Sequence, residues 1–166
     1  MDCPFDTTPK IPKVLPTMII LRGPPGAGKT TIAQTCFPDF VRCSADDHFM
    51  KNGKYVFLRA ELQLAHDNCF SKTLRNLRAG TSVIVDNTFG KSTDCERYLK
   101  IPNIKIEILV VTTRFRNIHG VPQNVVDNFE LEDIKIQCKA CLHKVYLDLD
   151  TKKLYKTTTT NASCGI

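Results

Sequence analysis

Apolar residues gather in short runs separated by turn-forming residues. Thr17-Met18-Ile19-Ile20-Leu21-Arg22, bounded by Pro16 and Gly23, reads as a strand buried on both faces. Phe40 to Cys43 predicts a second short strand, and the β-branched run Thr81 to Asp86 a third that ends in a carboxylate. Ile104 to Thr112, sequence IKIEILVVT, predicts another. Leu58, Leu62, Ala65, Cys69, Thr73 and Leu77 recur at steps of three and four, which predicts a helix from about Leu58 to Ala79 with Gly80 just past its end. Thr30 to Cys36 extends as a helix until Pro38, and Val121 to Glu132 as one opened by Pro122. His143 to Asp150 alternates apolar and polar, and Leu154 to Lys156 returns as a hairpin arm. Strands alternating with helices imply an α/β fold with a mainly parallel sheet flanked by helices.

Length and composition narrow this picture only a little. The 166 residues suit one domain, expected at 17–156, with an irregular proline-bearing arm at 1–16 and a flexible tail at 157–166. Apolar and charged fractions of 42% and 24% are those of a soluble globular chain. No apolar run reaches the length of a membrane span, and the first 16 residues lack the apolar core of a secretion signal. A cytoplasmic or nuclear setting with no membrane partner is therefore expected. In that setting the eight cysteines read as reduced, mostly buried thiols. Cys138-Lys139-Ala140-Cys141 with His143 lacks a second ligand pair, so ordinary thiols on a helix or loop are favoured over a zinc site. The formal charge of +6 biases the chain towards polyanions. Lys51 and Lys54 suit that role, while Lys72, Arg75 and Arg78 read as a solvated helix face.

The chemistry concentrates after the first strand. Gly23-Pro24-Pro25-Gly26-Ala27-Gly28-Lys29-Thr30 places glycines, a lysine and a hydroxyl at the spacing of a P-loop, between a predicted strand and a predicted helix, and with Thr31 these are the expected nucleotide-binding residues. Backbone N–H groups of such a loop cradle phosphates and the helix N-terminus adds partial positive charge. Lys29 reaches the β- and γ-phosphates and Thr30 ligates Mg²⁺, so ATP and Mg²⁺ are the expected cofactors. There is no Asn-Lys-x-Asp to specify guanine and no second large domain for a motor, which leaves a small kinase as the simplest class.

Carboxylates at strand ends fit that class. Asp46 and Asp47 follow the second predicted strand, on the sheet edge where ligands bind in α/β folds. Asp46 suits the general base that takes the proton of an attacking hydroxyl; Asp47 suits substrate or a metal-bound water, and either residue suits a helix cap. Asp86 ends its strand where P-loop enzymes place an acid near Mg²⁺, or where substrate is anchored.

Together ILRGPPGAGKTT, CSADDHFMKNGKYVF, LAHDNCFSKTLRNLRAGTSVIVDNT and RNIHGVP resemble the polynucleotide-kinase-like branch of P-loop kinases, over about Met18 to Glu132. That branch includes 5′-hydroxyl polynucleotide kinase domains and relatives in ubiquitin-ligase-binding proteins. The resemblance implies that Asp46 is the general base, that Asp86 and Asn87 lie near the acceptor nucleotide, and that Arg116 is the lid arginine on the ATP phosphates. Three departures accompany it. His48 and Phe49 follow the paired aspartates where phage-type enzymes carry an arginine for the acceptor phosphate. Phe89-Gly90 follows Asn87-Thr88, and the stretch before Arg116 is short, so Arg114 shares or replaces its role. The expected activity is ATP-dependent transfer to the 5′ end of RNA or DNA. A kinase of a nucleoside, nucleotide or other metabolite, or an ATP-binding regulatory module, stands as the alternative. The chain also suits a domain of a larger polypeptide.

Overall fold

A computed structural model describes residues 14–112, 124, 140–148, 151 and 153–161. A six-stranded sheet runs through them in the order β2–β5–β1–β6–β7–β8. These are β1 (Thr17–Arg22), β2 (Val41–Cys43), β5 (Val83–Asp86), β6 (Lys105–Val111), β7 (Ala140–Leu147) and β8 (Leu154–Asn161). The first five in that order are parallel and β8 returns antiparallel to β7. A two-stranded hairpin of β3 (Met50–Lys51) and β4 (Lys54–Tyr55) stands apart. The helices are α1 (Lys29–Cys36), α2 (Leu62–Arg78) and α3 (Ser92–Leu99).

Alternation along β1 builds two apolar layers. Met18 and Ile20 join Ala65, Cys69 and Leu77 of α2 and Cys95 and Tyr98 of α3 on one face. Ile19 and Leu21 join Ile32 and Ala33 of α1 on the other. A strand buried on both sides must be apolar throughout, which is why β1 carries no alternating polar residues.

Helix α2 buries Ala65, Cys69, Thr73 and Leu77, as the periodicity predicts. Its start is later than expected. Leu58 precedes the helix and Leu62 opens it, and both are exposed. The end follows the glycine rule: Gly80 has φ +82°, Thr81 N–H donates to Asn76 O and Gly80 N–H to Leu77 O, a Schellman closure. The β3–β4 hairpin and α3 are not anticipated from the pattern. β8 continues through Asn161, so the expected tail from Thr157 is strand for its first five residues. Cys141 lies on β7, a strand where a helix or loop is expected, and His143 lies on the same strand, as the alternation from His143 predicts. The predicted helix Val121 to Glu132 lies outside the described residues apart from Asn124, as does Cys138. Cys36, Cys43, Cys69, Cys95 and Cys141 stand outside any disulfide, with Cys43, Cys69 and Cys95 buried. Among the described residues no helix is long and apolar enough to cross a membrane.

Candidate active site

The connection leaving β1 runs to β2 towards one edge of the sheet and the connection leaving β5 runs to β6 towards the other, so a crevice opens beyond the carboxyl ends of β1 and β5. The loop Gly23–Gly28 occupies that position. Gly28 takes φ +83° at the start of α1, a left-handed conformation that glycine adopts without a Cβ clash. Gly23 answers a different demand. Its N–H donates to Thr88 O at 3.1 Å, and a Cβ there would stand 3.1 Å from the Val111 carbonyl oxygen. Pro24 accepts from Ala27 N–H, which closes the loop around its concavity.

Lys29 is buried and its Nζ donates to the carbonyl oxygens of Gly23 and Pro24 at 3.0 and 2.9 Å. Burial pulls its pKa down, against the carboxylates of Asp86 and Asp46, which pull it up. The structure thus holds a partly desolvated ammonium group over the phosphate cradle. Thr30, next in the chain, donates from Oγ1 to Asp86 Oδ2 at 2.8 Å.

Asp86 is the hub. Its Oδ2 also accepts from Arg42 Nε at 2.9 Å, and Arg42 NH1 reaches Asp47 Oδ1 at 2.9 Å. Lys72 stands 3.5 Å from the other Asp47 oxygen. Burial works to lower the Arg42 pKa, but Asp86 and Asp47 outweigh it and the net shift is upward. The result is an alternating chain of donors and carboxylates from Thr30 through Asp86, Arg42 and Asp47 to Lys72. Arg42 is not among the residues singled out from sequence. Its only signal there is a charged residue in a short, otherwise apolar run.

Ser44 fixes the turn that carries the paired aspartates. Its Oγ donates to Asp86 O at 2.9 Å and accepts from Asp46 N–H at 3.3 Å, capping the short 3₁₀ turn Ala45–Phe49. Ala45 N–H donates to Asn87 Oδ1 at 2.9 Å, and the Asn87 amide donates to Cys69 Sγ at 3.5 Å. Asn87 is buried and its side chain braces the 3₁₀ turn against β5 and α2. Asp46 accepts a hydrogen bond from Tyr55 OH at 3.0 Å, and burial followed by this carboxylate pushes the Tyr55 pKa up to about 12. His48, in the place of the phage-type arginine, is paired with Glu61 at 2.9 Å and contacts Asn68.

Phe89, after Asn87-Thr88, has φ +48° and its carbonyl accepts from Arg22 Nε at 2.6 Å. Arg22 also reaches Gly90 O, so the last residue of β1 clamps the loop after β5. Between that loop, α2 and α3 lies a cleft of about 430 Å³ whose lining includes His66, Thr88, Phe89 and Arg97. Burial, then the Arg97 guanidinium, pulls the His66 pKa down.

The structure thus brings Lys29, Thr30, Asp46, Asp47, Asp86 and Asn87 to one sheet edge. Thr31 follows on α1. Arg114 and Arg116, expected on the lid, lie outside the described residues.

Comparison with known proteins bears on the fold that carries this site. A chain in the structure of the Pnkp1/Rnl/Hen1 complex is 18% identical, with a TM-score of 0.52 over 92% of this chain and 49% of that one. A second structure of that assembly is described as an RNA repair complex. A sugar kinase from Janibacter sp. HTCC2649 is 17% identical, with a TM-score of 0.56 over 78% of this chain and 85% of its own. A gluconokinase from Sinorhizobium meliloti 1021 is 15% identical, with a TM-score of 0.50 over 84% and 88%. At these identities the likeness is one of fold, and this chain spans about half the length of the matched chain of the Pnkp1 complex. The AAA domain family matches residues 18–119, which take in the P-loop, Asp46, Asp47 and Asp86. The chain belongs to the AAA domain family, as a P-loop kinase-like member with an α/β fold.

Proposed function

We propose that the chain is a Mg²⁺- and ATP-dependent phosphotransferase whose acceptor is a 5′-hydroxyl of RNA or DNA. The observation that carries it is the placement of Asp46. A short capped turn holds this carboxylate on the P-loop's sheet edge, close enough to Lys29 to act on its charge. Asp86, by contrast, is spent on Thr30 and Arg42.

In this reading the loop amides and Lys29 hold the ATP phosphates. The acceptor oxygen attacks the γ-phosphorus, the bond from that phosphorus to the β-phosphate oxygen breaks, and ADP leaves. The proton of the acceptor hydroxyl passes to Asp46, a transfer worth roughly 10²- to 10⁴-fold in rate for a positioned base. Thr30 Oγ1 and Asp86 Oδ2, 2.8 Å apart, would hold Mg²⁺ as a hydroxyl–carboxylate pair, their mutual hydrogen bond giving way to the metal while Arg42 stays on Asp86. Mg²⁺ bound with phosphates takes one or two protein ligands and keeps waters, so a lone hydroxyl–carboxylate pair suffices. When bound it supplies charge neutralisation at the phosphates. Asp47, turned to Arg42 and Lys72, serves this arrangement by keeping Arg42 in place. Arg116, or Arg114, is the lid arginine in this reading.

A second reading keeps the reaction and changes the acceptor to a small molecule. The cleft between α2 and α3, about 430 Å³, suits one, and two of the fold relatives are a sugar kinase and a gluconokinase. An acceptor panel with γ-labelled ATP separates the two. We expect label on a 5′-hydroxyl oligonucleotide; label confined to sugars or free nucleosides would replace the first reading by the second.

A further inference from the structure

Every residue from 50 to 60 is exposed, the longest such run among the described residues, and it begins directly after the turn that carries Asp46. The segment is ordered by a tight turn. Asn52 and Gly53, with φ of +52° and +76°, form the two-residue connection that matches the twist of a hairpin. Its cross-strand pairs are Met50 with Tyr55 and Lys51 with Lys54.

Two features of this segment go beyond what the fold needs. Like charges directly opposite each other destabilise a ladder, and Lys51 faces Lys54. Glu61, 3.6 Å from Lys51, offsets only one of the pair. Met50, Val56, Phe57 and Leu58 are each between 41% and 50% exposed, an apolar surface with no described element over it. Phe57 and Tyr55 lean on the buried Phe49, ring centroids 5.0 and 6.0 Å away, so one side of each is propped. Tyr55 OH meanwhile touches Asp46. Cations beside propped aromatic faces are what single-stranded nucleic acid requires, phosphate on the lysines and base on the rings.

We propose that the Met50–Leu58 segment is the platform for a single-stranded acceptor, with Lys51 and Lys54 on its backbone phosphates and Phe57 under a base. This rests on the phosphotransferase reading for the placement of the 5′ end at Asp46. Lys54 is one strand position from Tyr55, about 3.3 Å along the chain, so the platform engages the first few nucleotides. An acceptor longer than one nucleotide is therefore preferred to a nucleoside 3′-monophosphate.

The test uses the full chain and a 5′-hydroxyl pentanucleotide labelled at its 3′ end, followed by fluorescence anisotropy and by transfer from ATP. The wild type should bind and phosphorylate the pentamer better than a nucleoside 3′-monophosphate. Lys51→Glu with Lys54→Glu should weaken pentamer binding by about tenfold or more. It should also reduce the slope of log K against log salt by about 1.4, the value for two single-strand phosphate contacts. Phe57→Ala should cost roughly 5- to 100-fold, the range for losing one stacked base, while Phe57→Trp retains binding. Losses on the pentamer should exceed those on the monophosphate in every variant except Phe57→Trp.

Pentamer binding indifferent to the lysine pair overturns the platform. So does a wild type that prefers the monophosphate, or one that ignores the pentamer and self-associates through Phe57. Transfer to both acceptors with no effect of the hairpin variants leaves the kinase reading standing without the platform. Hairpin-dependent binding with no transfer to either acceptor does the reverse.

Discussion

One oxygen of Asp86 accepts from both Thr30 and Arg42, and Asp86 is almost wholly buried. A buried carboxylate needs such partners, because desolvation penalises its charge. Arg42→Ala removes the cationic one and leaves Thr30. We expect a loss of about 1–3 kcal/mol in denaturant unfolding, below the cost of breaking a fully buried pair because Arg42 is a quarter exposed. Mg²⁺ with ATP should recover more stability in the variant than in the wild type, since the metal supplies charge at the same oxygen. An equal gain in both proteins would remove Asp86 from the metal site. Tyr55 gives a pH test. Its raised pKa means that the folded chain holds the phenolic proton more tightly than the unfolded chain. The contribution of its bond to Asp46 is therefore complete below about pH 10 and lost between about pH 10 and 12. Tyrosinate absorbance compared with Tyr55→Phe should show one tyrosine titrating near 12. If the difference titrates near 10, the hydrogen bond is not persistent in solution.

At the scale of elements, legibility follows how local the determining contacts are. The P-loop is readable because glycine spacing encodes its backbone directly, and the end of α2 because Gly80 encodes its closure. Helix α3 is eight residues long and buries only Cys95 and Tyr98, too little to register as a period. Its worth lies in tertiary packing. Tyr98 meets Phe70 and Phe89 edge-on, at centroid distances of 5.0 and 5.4 Å, and so supports the strained Phe89 beside the P-loop. Tyr98→Ala should cost about 3–5 kcal/mol by the usual price of emptying an aromatic core site. Tyr98→Phe should cost no more than about 1 kcal/mol, the worth of an ordinary hydrogen bond, since the hydroxyl donates to a sulfur, Cys69 Sγ at 3.7 Å, with Arg97 also beside it. Similar losses for the two in urea unfolding would mean that the hydroxyl, not the ring, holds α3. The roles of Arg42 and Tyr55 stay hidden in the sequence for the same reason. Arg42 meets a residue 44 positions away, and Tyr55 reaches Asp46 only after the hairpin folds back.

For the whole molecule, the order β2–β5–β1–β6 puts the ends of three strands around one crevice, and each end contributes one part of the proposed site. β1 delivers the phosphate loop, β2 the aspartate turn and β5 the Thr30 partner. Asp46 and Asp86 stand out in the sequence as candidates because they lie at or just past strand ends, a position the hydrophobic pattern marks. Which of them is committed to other groups is not readable, because it depends on sheet order. The central claim is that Asp46 takes the acceptor proton while Lys29 and the loop hold ATP. It is tested most directly by Asp46→Asn, which keeps an oxygen for Tyr55 to donate to but loses the base. Single-turnover transfer from ATP to a 5′-hydroxyl oligonucleotide should fall by about 10²- to 10⁴-fold, with the Kd for ATP within about threefold of wild type. Transfer by Asp46→Asn within tenfold of the wild-type rate would contradict the account.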